Sequence, residues 1–151
     1  MSDRDLELYR QHREGQTRYV YFLMAAAGSG IVLAVKDSAA AVLHWSLIPL
    51  GAAVLAWGAS AVAGILVIEY GQSITATNVD LLRAQRGELA LPGLADPGQP
   101  WTQQVAVESL RGILETKRDG SQRAATWQLW SLLGGAACYV AWHVLGIVLR
   151  S

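Results

Sequence analysis

The sequence predicts an all-α, polytopic membrane protein with three transmembrane helices and a cytoplasmic helical hairpin between the second and third. Three observations point there. Apolar residues gather into three long blocks, Lys and Arg are shared very unevenly between the segments that separate them, and small residues recur at every fourth position within the blocks. At 151 residues there is room for one domain. Only 16% of the residues are charged while 52% are hydrophobic; soluble domains carry roughly 25% charge, so a globular core is not what this composition describes.

The first block, residues 19–35, stops at Lys36 and Asp37. At roughly 17 residues it is at the short end of what crosses hydrocarbon. The preceding residues 1–18 mix acids with bases, unlike the short basic leader of a signal peptide, and read as a cytoplasmic helix that runs into a retained span. The second block, 45–68, is closed by Glu69 and has Pro49 in its first turn, where a missing N–H costs little. The third, 127–149, is closed by Arg150. Trp57 falls near the middle of span two and has to face either lipid or another helix.

Charge sets the expected direction. Arg4, Arg10, Arg13 and Arg18 precede span one, and Arg83, Arg86, Arg111, Lys117, Arg118 and Arg123 lie between spans two and three. With three crossings these ten share one face, leaving only Lys36 and Arg150 on the other. The positive-inside bias therefore puts the N-terminus in the cytoplasm and the C-terminus outside. Tyr19, Tyr21, Tyr70 and Trp127 fall near the inner boundary, and Trp45 and Trp142 near the outer one, where amphipathic rings sit at the headgroup level.

Residues 70–125 are expected to be cytoplasmic. Ile74, Leu81, Leu82, Gln85 and Leu89 give one arm a face at helical spacing, and Val107, Leu110, Ile113 and Leu114 give the other. Three of the four prolines fall in the stretch 91–100, which reads as an irregular linker. Asp119-Gly120-Ser121 reads as a break before span three. Two short amphipathic arms are too small for a substrate domain; their apolar faces need each other or another subunit.

Little in the chain can carry chemistry. No nucleotide loop, metalloprotease helix, acyl-transfer nucleophile motif or catalytic carboxylate pair is present in the sequence. Gly28-Ser29-Gly30 lies mid-span without a following Lys, so it is no phosphate loop. No catalytic residue, metal or cofactor is expected, and with formal net charge zero and no basic face no nucleic acid is expected as a partner. Cys138 is the only cysteine, which excludes an intrachain disulfide and leaves it as a small apolar residue. His44 and His143 both approach the outer face and are the candidate ligand or proton site; an interfacial polar-aromatic belt, with Trp45 and Trp142 beside them, explains them without a ligand and is the reading the sequence favours.

The small residues form the most specific pattern in the spans. Ala52, Ala56, Ser60 and Gly64 recur every fourth residue in span two; Ala26, Gly30 and Ala34 do so in span one, and Ser131 and Gly135 in span three. Such stripes let backbones approach closely in lipid. They serve either packing of the three helices within the chain or a self-association seam between protomers.

Two stretches carry a resemblance. Tyr9-Arg10-Gln11-His12-Arg13-Glu14-Gly15-Gln16-Thr17, and Ala124-Ala125-Thr126-Trp127-Gln128 leading to Tyr139-Val140-Ala141-Trp142-His143-Val144-Leu145, resemble small bacterial inner-membrane proteins with three transmembrane helices. The resemblance implies a bacterial inner membrane and brings no activity or binding residue with it. Two functions fit. One is a non-catalytic accessory or scaffold subunit that self-assembles or docks a larger membrane protein. The other is a homo-oligomeric pore or membrane effector gated by the cytoplasmic hairpin.

Overall fold

The computed structural model describes residues 3–38, 45–88 and 100–148, and every element among them is helical. The order is α1 (Asp3–Ser38), a 3₁₀ turn (Trp45–Leu47), α2 (Ile48–Gln85) and α3 (Pro100–Val148). The helices contain 36, 38 and 49 residues. At 1.5 Å per residue each exceeds the roughly 30 Å of bilayer hydrocarbon. All three are long and apolar enough to cross a membrane, over Glu14–Ser38, Ile48–Gln85 and Gln103–Val148.

The helices run on where the sequence suggested boundaries. α1 passes through Arg18 unbroken, so the residues before span one and the span itself are a single helix. α2 continues through Glu69, Tyr70 and Gly71, so the arm after Tyr70 is the same helix as span two. Asp119-Gly120-Ser121 does not break α3. Gly120 has a packing reason to be glycine: a Cβ there would stand 3.0–3.2 Å from the Tyr70 ring. Pro100 is the first helical residue of α3, where its fixed φ suits the helix and its missing N–H is not needed. The rest of the Pro/Gly linker, 91–99, lies outside the described residues.

α2 ends in a Schellman cap. Gly87 takes a positive φ of 72°. The Glu88 N–H donates to the Arg83 carbonyl at 2.9 Å and the Gly87 N–H to the Ala84 carbonyl at 3.0 Å. Those bonds satisfy carbonyls that a helix end would otherwise leave open, and glycine takes the left-handed conformation without Cβ strain.

The chain divides into two compact units, Met1–Leu66 with Ala124–Ser151, and Val67–Arg123. In the first, Gly30 of α1 lies against Trp57 of α2, and Met24 against Gly64, so those helices run antiparallel. α2 and α3 are antiparallel as well, with Trp57 and Ser60 meeting Leu132 and Gln128. α1 and α3 are parallel, linked through Val20 to Gln128 and Asp37 to Tyr139. Among the described residues of this unit the buried ones are Val20, Leu23, Ala27, Gly30 and Ala34 of α1, Leu50, Ala53, Trp57, Ser60, Ala63 and Gly64 of α2, and Ala124, Gln128 and Gly135 of α3.

Among the described residues Trp57 is the only buried aromatic side chain, and the backbone makes room for it on both sides. A Cβ on Gly30 would lie 2.8 Å from Cδ2 and Cε2 of the indole; one on Gly135 would lie 2.6 Å from Cδ1 and Nε1. The indole N–H donates to the Leu132 carbonyl at 3.3 Å. In lipid, packing and interhelical hydrogen bonds are what hold helices together, and this residue supplies both.

In the second unit, the arms of α2 and α3 also run antiparallel. Tyr70 packs on Gly120, Lys117 Nζ donates to Thr77 Oγ1 at 2.9 Å, and Gln103 Nε2 donates to the Gln85 carbonyl at 2.8 Å.

Gly135→Ala should destabilise the protein by about 1–3 kcal/mol, because the rigid ring cannot move aside. Gly134→Ala, one position along with nothing within 4 Å, should be neutral or stabilising. Unfolding titrations in mixed micelles distinguish the two; equal effects would mean the ring is not clamped.

Candidate functional site

Two groups of hydrogen-bonded polar side chains join the helices of the first unit. The deeper one centres on Gln128. Its side chain and that of Ser60 are essentially fully buried. Ser60 Oγ donates to the Gln128 backbone carbonyl at 2.8 Å. The Gln128 side chain faces a carbonyl acceptor, so its amide nitrogen must be the donor; Nε2 reaches Val20 O at 3.4 Å. One residue of α3 thereby ties to α2 through its backbone and to α1 through its side chain. Gly64 is what allows it, since a Cβ there would come within 2.6 Å of Nε2 and 2.8 Å of Met24 Cγ.

The second place is built around Tyr139. Its hydroxyl donates to Asp37 Oδ2 at 2.6 Å, joining α3 to the last turn of α1. Its ring lies 5.8 Å from Trp57, 6.0 Å from Trp142 and 6.4 Å from His143, nearly parallel to the last. His143 also lies 6.1 Å from Trp142. Tyr139 and Trp142 are half-buried and His143 is exposed. This is a run of rings at helical spacing on α3, with a carboxylate accepting the phenol's hydrogen bond.

The residues singled out from the sequence fall as follows. His143 joins the Tyr139 cluster, whereas His44 lies outside the described residues. Among the described residues no group of three His, Cys, Asp or Glu side chains is placed to hold a metal. In the small-residue stripes, Ser60, Gly64, Gly30 and Ala34 are buried between helices of the chain, Ala56 and Ala26 are half-buried, and Ala52 faces outward. The inward line of α2 is Leu50, Ala53, Trp57, Ser60 and Gly64. A strict interval of four drifts off a face that turns at 3.6 residues, so Ala53 and Trp57 lie inward and not Ala52 and Ala56. Ser131 is half-buried and Gly135 is buried. Cys138 is half-buried and packs against the core cluster around Trp57.

Gln128, Tyr139 and Asp37 were not picked out as site residues from the sequence. A neutral amide inside an apolar block is a readable signal, because such groups cross-link helices in lipid. The Asp37–Tyr139 pair leaves no such mark, since it joins residues far apart in the chain.

No known protein family matches the chain, and no curated protein or solved structure matches it.

Gln128→Leu should remove the tie to α1 and cost about 1 kcal/mol, the usual size of an interhelical side-chain hydrogen bond in a membrane. Ser60→Ala should cost a similar amount. The check is unfolding in mixed micelles; a Gln128→Leu protein as stable as the parent would mean that the amide contributes nothing.

Proposed function

We propose that this chain is a non-catalytic integral protein of a bacterial inner membrane, with its N-terminus and the residues between spans two and three in the cytoplasm. It works by assembly, either with copies of itself or as an accessory or scaffold subunit of a larger membrane protein. The observation that carries this reading is how the helices use their groups. Ser60, Trp57, Gln128 and Tyr139 spend their described hydrogen bonds on neighbouring helices, so their polarity serves packing. The apolar stretch of α3 is only 6% buried, against 28% for that of α2. α3 therefore offers a large apolar surface to lipid or to another helix. The ten-to-two division of Lys and Arg supports the orientation.

Gentle extraction with native lipid tests this. We expect a homogeneous species above the 16.2 kDa protomer mass, or one stoichiometric companion protein. A monomer at every concentration with no companion would overturn the reading.

A pore between copies is the second reading, favoured by one face of α1. Ala25, Gly28 and Ser29 are exposed there, small residues and a hydroxyl of the kind that lines a weakly selective path. The Ser29 hydroxyl donates to the Ala25 carbonyl at 2.8 Å, which leaves its oxygen lone pairs available. Reconstituted liposomes should then leak ions, and Ser29→Leu should reduce that flux; tight vesicles at high protein density would remove this alternative.

A further inference from the structure

The Asp37 end of the first unit gathers the side chains that give up an electron most readily. The Tyr139 ring lies 5.8 Å from Trp57 and 6.0 Å from Trp142 between centroids. Indole and phenol are the most easily oxidised rings among the side chains, and rings packed this closely exchange electrons readily. The contacts form an unbroken path between two environments. Trp57 is buried, Tyr139 and Trp142 are half-buried, and His143, stacked beside Tyr139, is exposed.

Electron loss is only half of phenol oxidation. A phenol stripped of one electron is a strong acid, so the reaction runs easily where a base can take the proton through a hydrogen bond already made. Tyr139 has that base. Its hydroxyl donates to Asp37 Oδ2 at 2.6 Å, the short length of a bond to an ionised acceptor. Among the described residues no other tyrosine hydroxyl lies on a carboxylate. Asp37 is exposed in the last turn of α1, so a proton it accepts has a way out to water. The Trp57 N–H, by contrast, is bound to the Leu132 carbonyl, a far weaker base.

We propose that Tyr139 is a redox-active tyrosine with Asp37 as its proton acceptor. A one-electron oxidant in the aqueous phase takes an electron from Trp142 or from Tyr139 directly, and the oxidising equivalent settles on Tyr139. In that step Tyr139 loses one electron, the oxidant or the oxidised indole gains it, the phenolic O–H bond breaks, and an O–H bond forms on the Asp37 carboxyl. The product is a neutral tyrosyl radical beside a protonated Asp37. Trp57, if oxidised, recovers its electron from Tyr139 by the same step, which protects the ring that the three helices enclose. This activity goes beyond assembly and does not depend on it.

A ruthenium polypyridyl photo-oxidant tethered to His143→Cys, an exposed position, tests the proposal in the full chain in lipid nanodiscs, on a Cys138→Ser background. After a flash, transient absorption and electron paramagnetic resonance should show a tyrosyl radical. Tyr139→Phe should lower its yield severalfold and leave a longer-lived tryptophanyl radical. Asp37→Asn keeps an oxygen acceptor but cannot take the proton, so it should slow radical formation severalfold and make the rate rise with the concentration of buffer base. Asp37→Glu should restore a rate independent of buffer. Helix content should be the same in all of them. No tyrosyl radical in the parent, or an undiminished yield in Tyr139→Phe, would overturn the proposal. So would an Asp37→Asn protein that forms the radical as fast as the parent, or one that is slower with no dependence on buffer base.

Discussion

The bundle of the first unit, built from helices long and apolar enough to cross a membrane, is organised by one large ring held between two glycines. Trp57 fills the space where α1, α2 and α3 come together, and Gly30 and Gly135 are the notches that receive it. In water such a residue would be held by its own exclusion from solvent. In hydrocarbon that force is absent between helices, so shape has to do what solvent cannot. A flat ring against two bare backbones gives many close contacts at once, and its N–H on the Leu132 carbonyl fixes the ring's direction. Depth, rotation and neighbours of α2 all follow from that fit.

Around the ring, hydrogen bonds reinforce the same three pairings. Ser60 to Gln128 joins α2 with α3, Gln128 to Val20 joins α3 with α1, and Tyr139 to Asp37 repeats the second pairing further along both helices. The two buried bonds join neutral groups, while the Asp37 carboxylate is exposed at the end of α1, so the charge lies where it costs less than in the apolar interior. The ion pairs on the described surface, Arg18 with Glu14 and Arg83 with Asp80, are long at 4.0 and 3.9 Å and well exposed. Pairs of that kind contribute little to stability.

The helical class and the three apolar spans were legible because hydrocarbon tolerates few patterns, and long apolar blocks are one of them. Boundaries were less legible. Asp119-Gly120-Ser121 looks like a break in one dimension, yet helix continues through it, and Gly120 packs against a ring from another helix that no local pattern announces. The inward face was half legible. Ser60, Gly64, Gly30 and Ala34 lie where helices meet, but counting in fours carried the stripe outward at Ala52 and passed over Ala53 and Trp57. A large aromatic in the middle of a span reads equally well as lipid-facing or buried; only the glycines opposite decide, and they lie 27 residues before it and 78 after it in the chain. The Asp37–Tyr139 link was hidden for the same reason.

The clamp at Trp57 also constrains how this sequence can change over generations. While the indole is present, alanine at Gly30 or Gly135 collides with it, so neither glycine is free to drift. Once Trp57 gives way to a smaller residue, the notches become voids and the same alanines turn from harmful to restorative. The three positions are thus linked by order: the ring has to leave first, and a lineage that has replaced it has little route back. Across related chains, glycine at both positions should travel with tryptophan at the third, although the three are spread over three helices.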